Sequence, residues 1–141
     1  MRYLLDTDHI SFLQRRSGLE FETLSARIAK YSLTEFGLSI VSFHEQVLGA
    51  NNFISRARTN RDLMRGYNLL SETLSGFAAA PILDFDADAI EIFDTLREQR
   101  VRVATMDLRI ASIALSRNLI LLTRNVKDFR QVPKLVDISS V

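Results

Sequence analysis

The feature that most constrains this chain is the alternation of short apolar runs with longer segments of helical period. Arg2–Leu5, Gly37–Val41, Ile82–Phe85 and Leu119–Thr123 read as strands, and Val136–Ile138 as a last edge strand. Between them, Asp8–Arg16 reads as a helix ending near Gly18, and Phe21–Tyr31 carries Leu24, Ile28 and Tyr31 at helical spacing. Two more helices, from Ser42 to about Arg58 and from Asn60 to about Gly76, make a helical hairpin. Ala87–Gln99 follows, and then a helix opened by Thr105 or Met106 that buries Ile110, Ala111, Ile113 and Ala114. Leu119–Thr123 is almost wholly apolar, the pattern of a strand covered on both faces. The alternation predicts an α/β fold: a central, mainly parallel sheet of four to five strands with helices on both faces. With 5 Gly and 2 Pro among 141 residues there is no linker, and residues 1–141 read as a single domain.

Composition narrows the chemistry. The chain has no cysteine, which excludes disulfides, thiolate zinc sites, iron–sulfur clusters and a Cys nucleophile. Its two histidines, His9 and His44, lie far apart, which excludes a three-histidine zinc site. No signal-peptide pattern follows Met1, and no run approaches the length of a membrane span, so a cytoplasmic protein is expected. The 18 basic residues comprise 15 Arg and 3 Lys, and Arg suits bidentate phosphate recognition. They are unevenly placed. Residues 81–98 hold six acids and one base, whereas residues 99–134 hold eight bases and two acids.

In parallel sheets, ligands bind at the carboxyl ends of the strands. Asp6 directly follows the first strand. Glu45 sits in the first turn of the helix after the second, where Ser42-Phe43-His44-Glu45 has the capping-box form. Asp107 stands at a helix start after Arg102–Ala104, and Asn125 and Asp128 follow the fourth strand. Each has a local reading as well: Asp6 as a cap, Glu45 as the reciprocal partner in its capping box, Asp107 as a charge at a helix N-terminus, Asn125 and Asp128 as turn formers. Taken together, oxygen ligands converging on one rim without His or Cys suit Mg²⁺, with Mn²⁺ as a possible substitute. Such a cation is the usual reason that clustered carboxylates are tolerated.

In order along nearly the whole chain, these residues resemble a family. Tyr3-Leu4-Leu5-Asp6-Thr7-Asp8-His9-Ile10-Ser11, Ser39-Ile40-Val41-Ser42-Phe43-His44-Glu45 through Ala50, Met106-Asp107-Leu108-Arg109-Ile110-Ala111-Ser112-Ile113-Ala114, and Leu121-Leu122-Thr123-Arg124-Asn125-Val126-Lys127-Asp128-Phe129 are similar to the four motifs of PIN-domain ribonucleases of the VapC toxin type. The resemblance implies a three-layer α/β/α PIN-like fold and a Mg²⁺-dependent endoribonuclease paired with a small VapB-like antitoxin. It carries Asp6, Glu45 and Asp107 over as metal-binding acids and places Asn125 at the fourth catalytic position, where the family often has Asp. An amide there adds no charge, which favours action through one metal ion. Arg109 also departs from the family pattern, which favours an apolar residue, and Arg102-Val103-Ala104 lacks the usual Gly and Ile.

The implied reaction is attack of a metal-activated water on an RNA phosphodiester, leaving a 5′-phosphate and a 3′-hydroxyl. Arg124, Lys127 and Arg130 are the candidate RNA-backbone contacts. The substrate is expected among transfer or ribosomal RNA loops. In the hairpin, Val47, Leu48, Phe53, Ile54, Leu63, Met64, Leu69 and Leu70 either pack on their own domain or receive an antitoxin helix in a groove. A homodimer and no membrane association are expected. Two alternatives stay open: Asp6-Thr7-Asp8 has the D-x-D form of haloacid-dehalogenase-like phosphatases, and Asn125 is compatible with a catalytically degenerate RNA- or partner-binding PIN domain.

Overall fold

The structure, a computed structural model, describes residues 1–8, 10, 18–29, 33–78 and 80–138. The elements in order are β1 (Tyr3–Leu5), α1 (Leu19–Ile28), a 3₁₀ turn (Leu33–Glu35), β2 (Phe36–Ser39), α2 (Ile40–Arg56), α3 (Asn60–Ala78), β3 (Ile82–Leu83), α4 (Ala87–Glu98), α5 (Thr105–Ser116), β4 (Ile120–Leu122), α6 (Val126–Phe129) and β5 (Asp137–Ile138). Most of the helix predicted over Asp8–Arg16 lies outside the described residues, as do Tyr31 and His9.

The five strands form one sheet in the order β3-β2-β1-β4-β5, and every neighbouring pair is parallel. β1 occupies the centre, with Tyr3 opposite both Phe36 and Ile120. That placement explains why its three residues are all buried and why its sequence does not alternate with polar residues. The pleat sends successive side chains to opposite faces. Leu4 and Leu121 enter a core with Ala89, Phe93 and Leu96 of α4 and Ile110, Ala111, Ile113 and Ala114 of α5. Tyr3, Leu5, Phe36, Leu38 and Leu122 face the other way, meeting Phe43 of α2 and Phe77 of α3. Helices therefore cover both faces, which is the three-layer α/β/α arrangement. Leu4 and Leu121 are wholly excluded from water, and such burial is worth roughly 1.5–3 kcal/mol for each side chain.

The helical hairpin is present as α2 and α3. Gly66 lets the two helices approach closely: a Cβ there would stand 2.5 Å from Ile54 Cγ1 across the seam. Among the described residues no helix is long and apolar enough to cross a membrane.

Two local expectations are corrected. The α2 helix begins at Ile40, with Ser39 rather than Ser42 as its N-cap. Ser39 ends β2 with extended backbone, and its hydroxyl accepts the free amides of Val41 at 2.9 Å and Ser42 at 3.3 Å. Glu45 consequently lies in the second turn and closes no capping box. The β3 strand is only two residues long because Asp84–Asp86 already turns into α4. Asp86 caps that helix by accepting the Ala89 amide at 3.0 Å, and its second oxygen meets Arg117 at 3.0 Å.

Candidate active site

The chain runs outward from β1 to β2 and β3, then crosses back to β4 and β5. The order therefore reverses between β1 and β4, where an open parallel sheet leaves a crevice beyond its carboxyl ends. Asp6 leaves β1 at this point, its amide still donating to the Leu122 carbonyl at 2.9 Å. Its carboxylate is buried and held from two sides. One oxygen accepts the Thr7 amide at 2.8 Å, and the other accepts the Thr123 hydroxyl, from the end of β4, at 2.7 Å. Thr123 in turn accepts the Asn125 amide at 2.9 Å. Burial pushes Asp6 above the usual carboxylate range, the Thr123 and Thr7 bonds oppose the rise, and the charge of Asp8 adds to it.

Glu45 comes from the second turn of α2. Its Oε1 lies 2.9 Å from Thr7 Oγ1, which is also 2.9 Å from the hydroxyl of fully buried Ser42. Burial raises Glu45, the Thr7 bond lowers it, the charges of Asp6 and Asp8 raise it further, and His44 opposes them.

Asp107 lies in the first turn of α5, preceded by the irregular segment 101–104 rather than by a strand. A helix N-terminus ordinarily favours a carboxylate by about 0.3–1 kcal/mol. Asp107 is nevertheless pushed up from 3.8 to about 6, first by burial and then by the charges of Asp6, Glu45, Asp128 and Asp8. Five carboxylates from four separate segments thus share one electrostatic field.

The donors are all hard oxygens and repel one another, with His44 partly offsetting the charge at Glu45, and this chemistry fits a divalent cation of the Mg²⁺ or Mn²⁺ class. Among the described residues, no three acids are drawn together into a closed ligand cage. The repulsion that raises Asp107 also favours their separation.

Asn125 caps α6 without a side-chain cap bond. Its amide nitrogen instead donates to Asp128 Oδ2 at 3.0 Å, one turn along. Asp128 therefore belongs to the rim both as an anchor for Asn125 and as a charge felt by Asp107. Arg124, Lys127 and Arg130 are exposed in the same segment after β4. Arg109 turns toward α4, its guanidinium 5.7 Å from the centre of the Phe93 ring and 3.6 Å from Met106 Sδ. There its stem serves the packing that an apolar residue would otherwise supply.

Sequence reasoning missed Thr7, Ser42, Thr123 and Asp8. Thr7 and Asp8 lie beside Asp6, and Thr123 is the one polar residue ending an apolar strand. Those positions were the available signals. Ser42 has the pattern of a cap, but Ser39 fills that role and leaves the Ser42 hydroxyl for Thr7.

The hairpin carries the second candidate surface. Leu48, Leu63 and Met64 are exposed, whereas Val47, Phe53, Ile54, Leu69 and Leu70 are half-buried. Tyr67 and Leu74, outside the predicted set, are 56% and 66% exposed and extend the apolar stripe of Leu63 along α3. Near the hairpin tip a cavity of about 390 Å³ is lined by Gly49, Asn52, Phe53, Arg56, Ala57 and Asp62.

Comparison with known proteins adds two findings. The family model described as "PIN domain" matches residues 3–135. Among solved structures, the chain is similar to DNA-bound VapBC from Salmonella typhimurium, with 20% identity over 100% of this chain and 99% of that one and a TM-score of 0.76. It is also similar to FitAcB from Neisseria gonorrhoeae, with 22% identity, 98% and 97% coverage and a TM-score of 0.72. A toxin–antitoxin complex from Klebsiella pneumoniae matches with 20% identity, 99% and 98% coverage and a TM-score of 0.68. No curated protein matches significantly in sequence.

Proposed function

The chain belongs to the PIN-domain family, and from that premise we propose that it is a Mg²⁺-dependent endoribonuclease acting as the toxin of a toxin–antitoxin pair. The observation that carries this reading is that Thr7 links Asp6 and Glu45 beyond the central strand, while Asp107 feels the charge of both and is pushed up to about 6 by burial and by its neighbouring carboxylates. The phosphatase alternative lapses with the family assignment.

Asp6, Glu45 and Asp107 would hold the cation. When bound, it supplies the charge that makes a water nucleophilic at neutral pH and offsets negative charge developing on the phosphodiester. The protein's own groups do the rest. Thr123 and the Thr7 amide fix the Asp6 carboxylate, each using one lone pair of an oxygen and leaving the other for a ligand. Asn125, tethered to Asp128, contributes polarity without charge. Arg124, Lys127 and Arg130 lie where they would meet RNA phosphates beside the acids.

The partner reading is a VapB-like antitoxin helix laid against the exposed apolar residues of α2 and α3. Two considerations support it: the apolar stripe of Leu63, Tyr67 and Leu74, and the toxin–antitoxin complex among the structural neighbours. A homodimer and a cytoplasmic location complete the proposal.

The test is cleavage of transfer and ribosomal RNA by the purified chain, with products mapped by 5′-end sequencing. Cleavage is expected with Mg²⁺, to stop with chelator, and to disappear in Asp6→Asn while circular dichroism stays unchanged. Full cleavage by Asp6→Asn, or cleavage indifferent to chelator, would overturn the assignment.

A further inference from the structure

Thr7 bonds to two of the candidate ligands at once. Its backbone amide donates to Asp6 Oδ1 at 2.8 Å, while its side-chain oxygen lies 2.9 Å from Glu45 Oε1. Asp6 ends the central strand and Glu45 belongs to a helix thirty-eight residues beyond Thr7. A residue that bonds to both acids fixes the distance between them. The hydroxyl side of the clasp is itself supported from behind. Ser42, wholly excluded from water, places its hydroxyl 2.9 Å from Thr7 Oγ1.

Proton counting gives the chain a direction. Thr7 Oγ1 carries one proton, and an ionised carboxylate only accepts. The Thr7 proton therefore goes to Glu45, and the Ser42 proton goes to a lone pair of Thr7. Ser42→Thr7→Glu45 is then a relay of two hydrogen bonds whose inner end is buried and whose outer end is a charge-assisted bond, the stronger type. Threonine suits the middle position because its β-branch restricts χ1. The relay engages one carboxylate oxygen of Glu45 and leaves the other open to a ligand.

We propose that Thr7, braced by Ser42, is the positioning residue that orients Glu45 and sets its separation from Asp6 for the divalent cation. The proposal rests on the metal-nuclease reading. Outer-shell partners of this kind typically alter metal affinity by about 10–100-fold when removed.

The test is direct Mn²⁺ binding, followed through the electron paramagnetic resonance signal of the free ion, together with the Mg²⁺ dependence of RNA cleavage. Thr7→Val keeps the shape and removes the hydroxyl; it is expected to weaken Mn²⁺ binding about tenfold or more. It should raise the Mg²⁺ concentration for half-maximal cleavage more than it lowers the rate at saturating Mg²⁺. Ser42→Ala should move both quantities the same way by a smaller factor, and Thr7→Ser, which restores the hydroxyl, should return Mn²⁺ affinity to within about threefold of the wild type. Thr7→Val that binds Mn²⁺ as tightly as the wild type, while Glu45→Gln does not, overturns this inference and leaves the nuclease reading standing. A loss of thermal stability in Thr7→Val without a change in Mn²⁺ affinity also overturns it. Failure of the wild-type chain itself to bind Mn²⁺ overturns both.

Discussion

Asp107→Asn is expected to make the protein more stable at neutral pH while abolishing the RNA cleavage proposed for it. Asp107 titrates near 6 in the folded chain against 3.8 for an unperturbed carboxyl. Its ionisation therefore opposes folding. The stability it permits is fully present below pH 3.8 and is lost as pH rises through about 6. Each tenfold change in proton affinity corresponds to about 1.4 kcal/mol, so the full displacement sets an upper bound of about 3 kcal/mol. Asp107 is only partly buried, and water screens part of this interaction. An asparagine also forgoes the favourable charge at the α5 N-terminus. The net expectation is a gain of about 1–2 kcal/mol above pH 6.5, or about 2–8 °C in Tm for a chain of this size. The assay is thermal denaturation of both proteins between pH 4 and 7.5, without and with a divalent cation. The difference should be near zero at pH 4, grow between pH 4 and 6.5, and shrink when Mn²⁺ stabilises the wild type alone. A variant that is less stable at pH 7.5, or a gain independent of pH, would refute the electrostatic account of the site.

Three further outcomes follow from particular contacts. Gly66→Ala, a change that normally favours a helix interior, should here destabilise by about 1–3 kcal/mol in urea denaturation because its Cβ meets Ile54; Ile54→Ala in the same chain should relieve the clash, and a more stable Gly66→Ala single variant would contradict the close approach. Asn125→Asp adds a fifth negative group to those around Asp107, so it should tighten Mn²⁺ binding severalfold and lower Tm in the absence of divalent cation; unchanged values of both would separate Asn125 from the site. Asp86→Ala removes the cap of α4 and the Arg117 pair and should cost about 1 kcal/mol, whereas Asp86→Asn keeps a good capping residue and should leave cleavage unchanged.

The fold was legible wherever local pattern decides structure. The apolar runs ending at Leu5 and Leu122 announced strands buried on both faces, and Ile110, Ala111, Ile113 and Ala114 marked the inner face of α5. Boundaries were less legible. Ser39 and Ser42 stand three residues apart and both suit a cap, and only the backbone path out of β2 determined which one reaches the free amides. The candidate acids Asp6, Glu45 and Asp107 stand out in the sequence because carboxylates at separate positions beyond apolar runs have few joint explanations, although Asp107 follows an irregular segment and not a strand. Thr7 and Thr123 were not, since a threonine beside an acid carries no local mark of the bond it will make.

By itself the sequence determined the alternating α/β order, the apolar core and the absence of any thiol chemistry. These properties reside in residue type and short-range periodicity, which any chain segment expresses through its immediate neighbours. Only the tertiary structure decided that Thr123 would donate to Asp6 across 117 positions, that Thr7 would bond to both Asp6 and Glu45, and that four other carboxylates would raise Asp107. Desolvation and Coulomb interaction depend on distance through space and on the exclusion of water. Both arise only when β1, α2, α5 and the segment after β4 meet at one edge of the sheet.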